Sequence, residues 1–201
     1  SPWRTYKSKS VKYAKLKDET DQIVAVAPIK LDDVLLISQN GYALRFNIEE
    51  VPVVGAKAAG VKAMNLKADD ALQAAFICNT SSFYLLTQRG SLKRVSIEEI
   101  PATSRAKRGL QVLRELKNKP HRVFLAGAVV EQGFIGDLFS TEVEENDQTL
   151  LVQSNKGTIY ESRLQDLNLS ERTSNGSFIS DTISDEEVFD AYLKEIFKED
   201  K

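Results

Sequence analysis

Lysine and arginine recur in short segments built otherwise of small residues. They are Arg4-Thr5-Tyr6-Lys7-Ser8-Lys9-Ser10-Val11-Lys12, Gly55-Ala56-Lys57-Ala58-Ala59-Gly60-Val61-Lys62 and Ser104-Arg105-Ala106-Lys107-Arg108-Gly109. Small residues let a backbone approach a phosphate closely, and the cations neutralise it. Contacts of this kind carry little sequence information, so they point to general, salt-sensitive binding of a polyanion. A fourth segment, Glu171-Arg172-Thr173-Ser174-Asn175-Gly176, is nearly neutral. Other chemistry finds no support. His121 is the single histidine, with no Cys, Asp or Glu at metal-ligand spacing beside it. Cys78 follows the apolar Ala75-Phe76-Ile77 run and reads as a buried, inert thiol. No phosphate loop, dinucleotide fingerprint or nucleophile elbow occurs. The acidic pairs Asp32-Asp33, Glu49-Glu50, Asp69-Asp70 and Glu98-Glu99 read as exposed turns that keep strand edges soluble.

The elements that would hold the basic segments repeat along the chain. Leu35-Leu36-Ile37-Ser38-Gln39-Asn40-Gly41, Leu85-Leu86-Thr87-Gln88-Arg89-Gly90 and Leu151-Val152-Gln153-Ser154-Asn155-Lys156-Gly157 are apolar runs ending in turn residues and glycine. That is the pattern of a strand entering a hairpin. In the strands that follow, Arg45 alternates with Phe46 and Arg94 with Val95, which directs both arginines away from the core, while Glu161 takes the third such place. A second glycine follows each hairpin glycine, at 60, 109 and 176, always 19 residues on. A repeat of about 50 residues made of short strands implies stacked blades, since one small sheet cannot bury its own face. The expected units run about 1–50, 51–99, 100–167 and 168–201, with a surface insertion from Glu131 to Asp147. At the end of the chain, Val188, Ala191, Tyr192 and Ile196 fall at helical spacing, which predicts a short helix over about 185–197.

Charge follows the same division. Residues 1–125 carry a balance of +9 and residues 126–201 one of −11, which the overall −2 conceals. A basic part joined to an acidic end suits a polyanion partner. The one cysteine excludes an intrachain disulfide and fits a reducing compartment. No run of about 18 apolar residues is present. The start on Ser1-Pro2-Trp3-Arg4, without Met, is expected of a piece of a longer protein.

The strand–turn–strand–basic-loop unit resembles the C-terminal domain of the A subunits of bacterial type IIA topoisomerases, gyrase and topoisomerase IV. Val54-Gly55-Ala56-Lys57-Ala58-Ala59-Gly60-Val61-Lys62-Ala63-Met64-Asn65-Leu66 is most similar to the Gram-positive topoisomerase IV type. The gyrase glutamine–arginine–arginine–glycine–glycine–lysine–glycine box has only Ser104-Arg105-Ala106-Lys107-Arg108-Gly109 as its nearest match, which favours topoisomerase IV. The resemblance implies an all-β, propeller-like pinwheel of four-stranded blades, three to four of them here in an open arc, with strands exchanged between neighbours. It implies a non-catalytic module that binds and bends duplex DNA for ATP-dependent strand passage by the whole enzyme. The partners would be the rest of the A subunit, together with the ATPase B subunit. ATP and Mg would be bound on other domains, with no cofactor or small-molecule substrate here, in a cytoplasmic, nucleoid-associated setting where peripheral membrane association also occurs; this piece is expected to be monomeric. Arg4, Lys7, Lys9, Lys12, Lys57, Lys62, Arg105, Lys107 and Arg108 would contact phosphate, with Arg45, Lys93 and Arg94 in support. A gyrase-type wrapping domain and a protein-interaction propeller are the alternatives.

Overall fold

The computed structural model describes residues 16, 19–28, 32–55, 58–130 and 147–196. The 131–146 part of the expected insertion lies outside them. Among the described residues the chain is all β, apart from single 3-10 turns, and forms three antiparallel sheets. The strands are β1 (Asp33–Ser38), β2 (Tyr42–Asn47), β3 (Leu72–Ile77), β4 (Ser82–Thr87), β5 (Ser91–Ser96), β6 (Leu110–Gln111), β7 (Val123–Val129), β8 (Asp147–Ser154), β9 (Ile159–Arg163), β10 (Ser177–Phe178) and β11 (Val188–Ile196). The orders are β3-β1-β2-β6, β10-β5-β4-β7 and β11-β8-β9.

Each unit begins with a hairpin and takes its third strand from further along the chain. The hairpin turns need a residue at positive φ, and Gly41, Gly90 and Gly157 supply it at 81°, 75° and 85°. After the second strand the chain makes one 3-10 turn, then runs back as an extended strap. The strap does not join its own sheet. Leu110–Gln111, which follows the second hairpin, pairs with β2 of the first hairpin, and Ser177–Phe178, which follows the third hairpin, pairs with β5 of the second. Strand exchange between neighbours is therefore present at both junctions.

The exchange depends on the second set of glycines. Gly109 (φ 87°) would place a Cβ 2.3 Å from the Ala43 carbonyl oxygen, and Gly176 (φ 75°) one 2.5 Å from that of Leu92. Only a residue without a side chain lets the strap cross its neighbour there. Matching backbone bonds hold both straps. Val112 N–H donates to Gly41 O at 2.7 Å and Thr103 N–H to Arg45 O at 2.9 Å; at the next junction Ile179 donates to Gly90 O at 3.0 Å and Ser170 to Arg94 O at 2.7 Å.

In the first two hairpins both faces of the first strand are buried, which explains why Leu35-Leu36-Ile37 and Leu85-Leu86 are unbroken apolar runs; in the third, β8 alternates, with Leu150 and Val152 buried and Gln153 exposed. Leu35, Ile37, Phe83, Leu85, Val95 and Val112 pack between the first two sheets, and Leu86, Leu92, Leu150, Val152 and Ile183 between the second and third. Each fully buried large side chain contributes about 1.5–3 kcal/mol.

The end of the chain corrects the expected helix over 185–197: Val188–Ile196 is β11, antiparallel to β8. Its register shifts between Val188 and Asp190. A bulge inserts one residue, so Val188 and Ala191 share a face three positions apart and imitate a helical period. Beyond it the alternation is regular, with Ala191 and Leu193 packed inward and Tyr192 exposed.

Replacing Gly109 with Ala should cost about 3 kcal/mol or more, from the left-handed backbone and the collision with Ala43 together. Gly60→Ala, at a similar φ but with no described atom within 4 Å, should cost only about 1–2 kcal/mol. Urea denaturation midpoints measure both, and equal losses would show that the strap crossing does not matter.

Candidate nucleic-acid interface

The described parts of the basic segments, 58–62 and 104–109, lie on the straps, and the fold divides the cations there and on the strands into two groups. One group is spent on architecture. Strand alternation directs Arg45 away from the core, yet the side chain is half-buried. Its Nε donates to Asp33 Oδ2 at 2.7 Å, while Nη1 lies 3.5 Å from the carbonyls of Ile97 and Ile100 in the next unit. Arg94 repeats the arrangement, with Nε on Ser82 Oγ at 2.8 Å and Nη1 3.5 Å from Gln165 O. Both tie a strand to the 3-10 turn region of the following unit, because a guanidinium presents several donors in a fixed fork.

Arg105 is committed in the same way. Its N–H donates to Glu50 Oε2 at 2.8 Å and its guanidinium donates to the Lys62 carbonyl of the corresponding extended segment after the first hairpin, residues 58–66, which is the first of three straps. Arg172 copies it, with its N–H on Glu99 Oε2 at 2.9 Å and its guanidinium on the Gln111 carbonyl. Glu50 and Glu99 therefore receive the incoming strap, a role beyond that of a solvated turn.

Lys93 departs furthest from expectation. It is buried, and its ammonium donates to the carbonyls of Val112 at 2.5 Å, Arg172 at 2.7 Å and Ser174 at 2.8 Å. In the protonated form three donors meet three acceptors, and the lysine pins two consecutive straps. It is not available to a ligand. Burial pushes its pKa down to about 7, with Glu99 opposing and Arg172 adding to the depression.

The second group faces solvent. Lys62 is exposed, with Nζ 2.6 Å from Asn65 Oδ1. Lys107 is exposed, with Nζ 2.7 Å from Thr103 Oγ1. The Arg108 guanidinium stands 4.0 Å above the Tyr42 ring, a cation–π contact that holds it over the edge of the first sheet. Arg4, Lys7, Lys9, Lys12 and Lys57 lie outside the described residues. Further cations that sequence reasoning missed, Lys67, Arg114 and Arg122, stand near the first hairpin turn. They fall in connections that the repeat does not mark, so only the fold brings them together.

His121 is buried, as a structural histidine would be. Arg89 can only donate, so its contact with Nε2 at 3.1 Å makes that nitrogen an acceptor and leaves the proton on Nδ1, 3.1 Å from Thr87 Oγ1. Burial and then Arg89 push its pKa down to about 4. Burial pushes the Cys78 thiol up to about 12, in keeping with an inert cysteine. Among the described residues no group of three or more His, Cys, Asp or Glu is placed to hold a metal, and no helix is long and apolar enough to cross a membrane.

The repeated hairpins, the exchanged straps and the basic strap edges define a pinwheel of the topoisomerase A-subunit class. The family profile described as "DNA gyrase C-terminal domain, beta-propeller" matches residues 4–30, 32–79 and 82–128, and the chain belongs to that family. It is 90% identical over its whole length to the A subunit of DNA topoisomerase 4 from Streptococcus pneumoniae serotype 4, of which it covers 24%. The chain thus spans about a quarter of the length of the curated relatives it matches. A crystal structure of the C-terminal domain of DNA topoisomerase IV superposes with a TM-score of 0.77 at 33% identity, over 94% of this chain and 56% of that one. The fold is also that of a DNA gyrase A C-terminal domain, with a TM-score of 0.68 at 19% identity over 91% of this chain and 57% of the other.

Two pH dependences follow from the buried bases. Between about pH 7 and 10.5 the unfolded chain keeps a proton that folded Lys93 releases, so stability should rise with pH across that window, and Lys93→Met should flatten the rise. Between about pH 6.5 and 4 the unfolded chain binds a proton that folded His121 refuses, so stability should fall as the pH drops. Denaturation midpoints across pH 4–10.5 check both, and an unchanged profile in Lys93→Met would remove Lys93 as the source of the alkaline limb.

Proposed function

We propose that the chain is the DNA-binding and DNA-bending module of a topoisomerase IV, presenting duplex DNA for the ATP-dependent decatenation and relaxation carried out by the whole enzyme. The observation that carries this reading is the repetition of exposed cations on consecutive straps, Lys62 on the first and Lys107 on the second, with the half-buried Arg108 laid over Tyr42 beside it. The second strap forms the edge of the first sheet, so its cations stand along a border between stacked units. Family membership and the topoisomerase relatives support the same reading.

A duplex touching successive straps must follow the stack of sheets. Bending a short site by 40–90° costs about 1–6 kcal/mol, which several phosphate contacts offset. Lys57 and the Arg4, Lys7, Lys9 and Lys12 segment would extend the track. Arg45, Lys93, Arg94 and Arg105 would shape it and leave the contact to others. In this reading the repeat units of about 1–50, 51–99, 100–167 and 168–201 form one domain with no reaction of its own. ATP and Mg would be bound elsewhere. The rest of the A subunit, together with the ATPase B subunit, would supply the protein partners, and the setting would be cytoplasmic.

Duplex binding followed by fluorescence anisotropy across a salt series tests the reading. The parent should show a steep linear fall of log affinity with log salt. A Lys62→Ala/Lys107→Ala/Arg108→Ala variant should lower the slope by about 3, one for each phosphate no longer neutralised. End-to-end energy transfer on a labelled duplex should rise on binding. A flat salt response, or no binding at low salt, would overturn the reading in favour of a propeller that holds a protein.

A further inference from the structure

The hairpin-turn end of the first sheet carries a second cationic feature, separate from the straps' exposed lysines. A cleft of about 70 Å³ opens between the 39–41 turn, the connection before β3 and the 108–122 segment. It is far below the ~300–1,000 Å³ of small-molecule pockets, so its size suits a single anionic group. Lys67, Arg108, Arg114 and Arg122 line it, against the carboxylates of Asp69 and Glu115. The side chains of Lys67, Arg114 and Arg122 have no ion-pair or hydrogen-bond partner among the described residues. The two arginines are held through their backbone N–H groups, which donate to Asn175 Oδ1 and Gln88 Oε1. Arg108 is already oriented by Tyr42.

The repeat shows that folding does not require this charge. Val123 and Val188 hold equivalent places, pairing with Thr87 and Ser154 and donating to Gln39 O and Gln88 O at 2.8 Å each. The residue before each is Arg122 at the first junction and Glu187 at the second. The residue before the strap glycine is likewise Arg108 at the first and Asn175 at the second. The backbone bonds are the same with a cation, a carboxylate or an amide in those places. An unpaired cluster of cations that the fold can do without costs mutual repulsion, which an anionic ligand would relieve.

We propose that this cleft is a phosphate site that seats a phosphodiester group of duplex DNA. The contact track then turns from the strap edge onto the hairpin-turn end of the sheets at the first junction. This rests on the duplex-binding reading above and adds to it a location and three residues, Lys67, Arg114 and Arg122.

The test uses the full 201-residue chain with Arg114→Ala/Arg122→Glu, the second change copying the residue at the equivalent place of the next junction. Arg114→Lys/Arg122→Lys serves as the charge-preserving variant, and Lys194→Ala, at an exposed position of β11, as a control. Circular dichroism melts confirm that each folds. Anisotropy across a salt series should show a slope lowered by about 2 in the Ala/Glu variant and restored by the lysines. Inorganic phosphate, titrated while the amide resonances of Arg108, Gln111 and Arg122 are followed, should shift them in the parent and not in the Ala/Glu variant, and duplex should displace it. An unchanged slope in a variant whose parent binds duplex would overturn the cleft while the DNA reading stands. Phosphate-induced shifts that duplex does not reverse would show a free-anion site and overturn the assignment to DNA. Absence of duplex binding by the parent would overturn both.

Discussion

Gly109 over the Ala43 carbonyl and Gly176 over the Leu92 carbonyl are the contacts on which the rest of the structure depends. At each, an extended backbone crosses a neighbouring strand too closely for any side chain, and the left-handed conformation turns the strap into register with that strand. The crossing gives a three-stranded sheet its fourth strand and covers an edge that would otherwise invite pairing with another chain. It also brings the next unit's apolar residues against the hairpin, so that Leu113 packs on Gly41 and Ile183 on Gly90. Stacking, edge protection and spacing thus follow from one local feature, and what a strap carries is displayed along the border of its predecessor.

That arrangement explains which cations hold the fold and which remain free. Carbonyl groups left over where two units meet have fixed positions, and a guanidinium or a fully extended ammonium can satisfy several of them. Arg45, Arg94, Arg105 and Arg172 each reach across a junction, and Lys93 collects three carbonyls from two straps. Lys62 and Lys107, on flexible stems anchored only by a neutral side chain, keep their charge at the surface. Composition alone does not separate the groups, because both are basic residues in or near the same loops.

The 19-residue offset between glycines was legible in the chain because backbone geometry imposes it, and all six glycines take positive φ. The hairpins and the all-β class were legible for the same reason. The sheet that each strap joins was not, since pairing across units leaves no periodic mark on a two-residue strand. The burial of Lys93 was hidden as well: alternation assigns a side chain to a face of its strand, and both faces of this strand meet other units. β11 misled because one bulge converts a period of two into an apparent period of three. The cations of the hairpin-turn cleft lie between repeated elements, where a search by repeat does not look.

The third unit shows what the architecture permits when the charge is withdrawn. Glu161 stands where Arg45 and Arg94 reach forward, Asn175 where Arg108 lies on its tyrosine, and Glu187 where Arg122 lines the cleft. The sheet still forms, with β8 paired to both β9 and β11. Burial and backbone hydrogen bonds therefore specify the stack, and the surface charge is a separate layer that varies from unit to unit. A polyanion laid along the stack would meet its strongest attraction at the first two straps and lose it towards the third sheet. The direction of such a track would then be set by where charge was placed on an otherwise repeating frame.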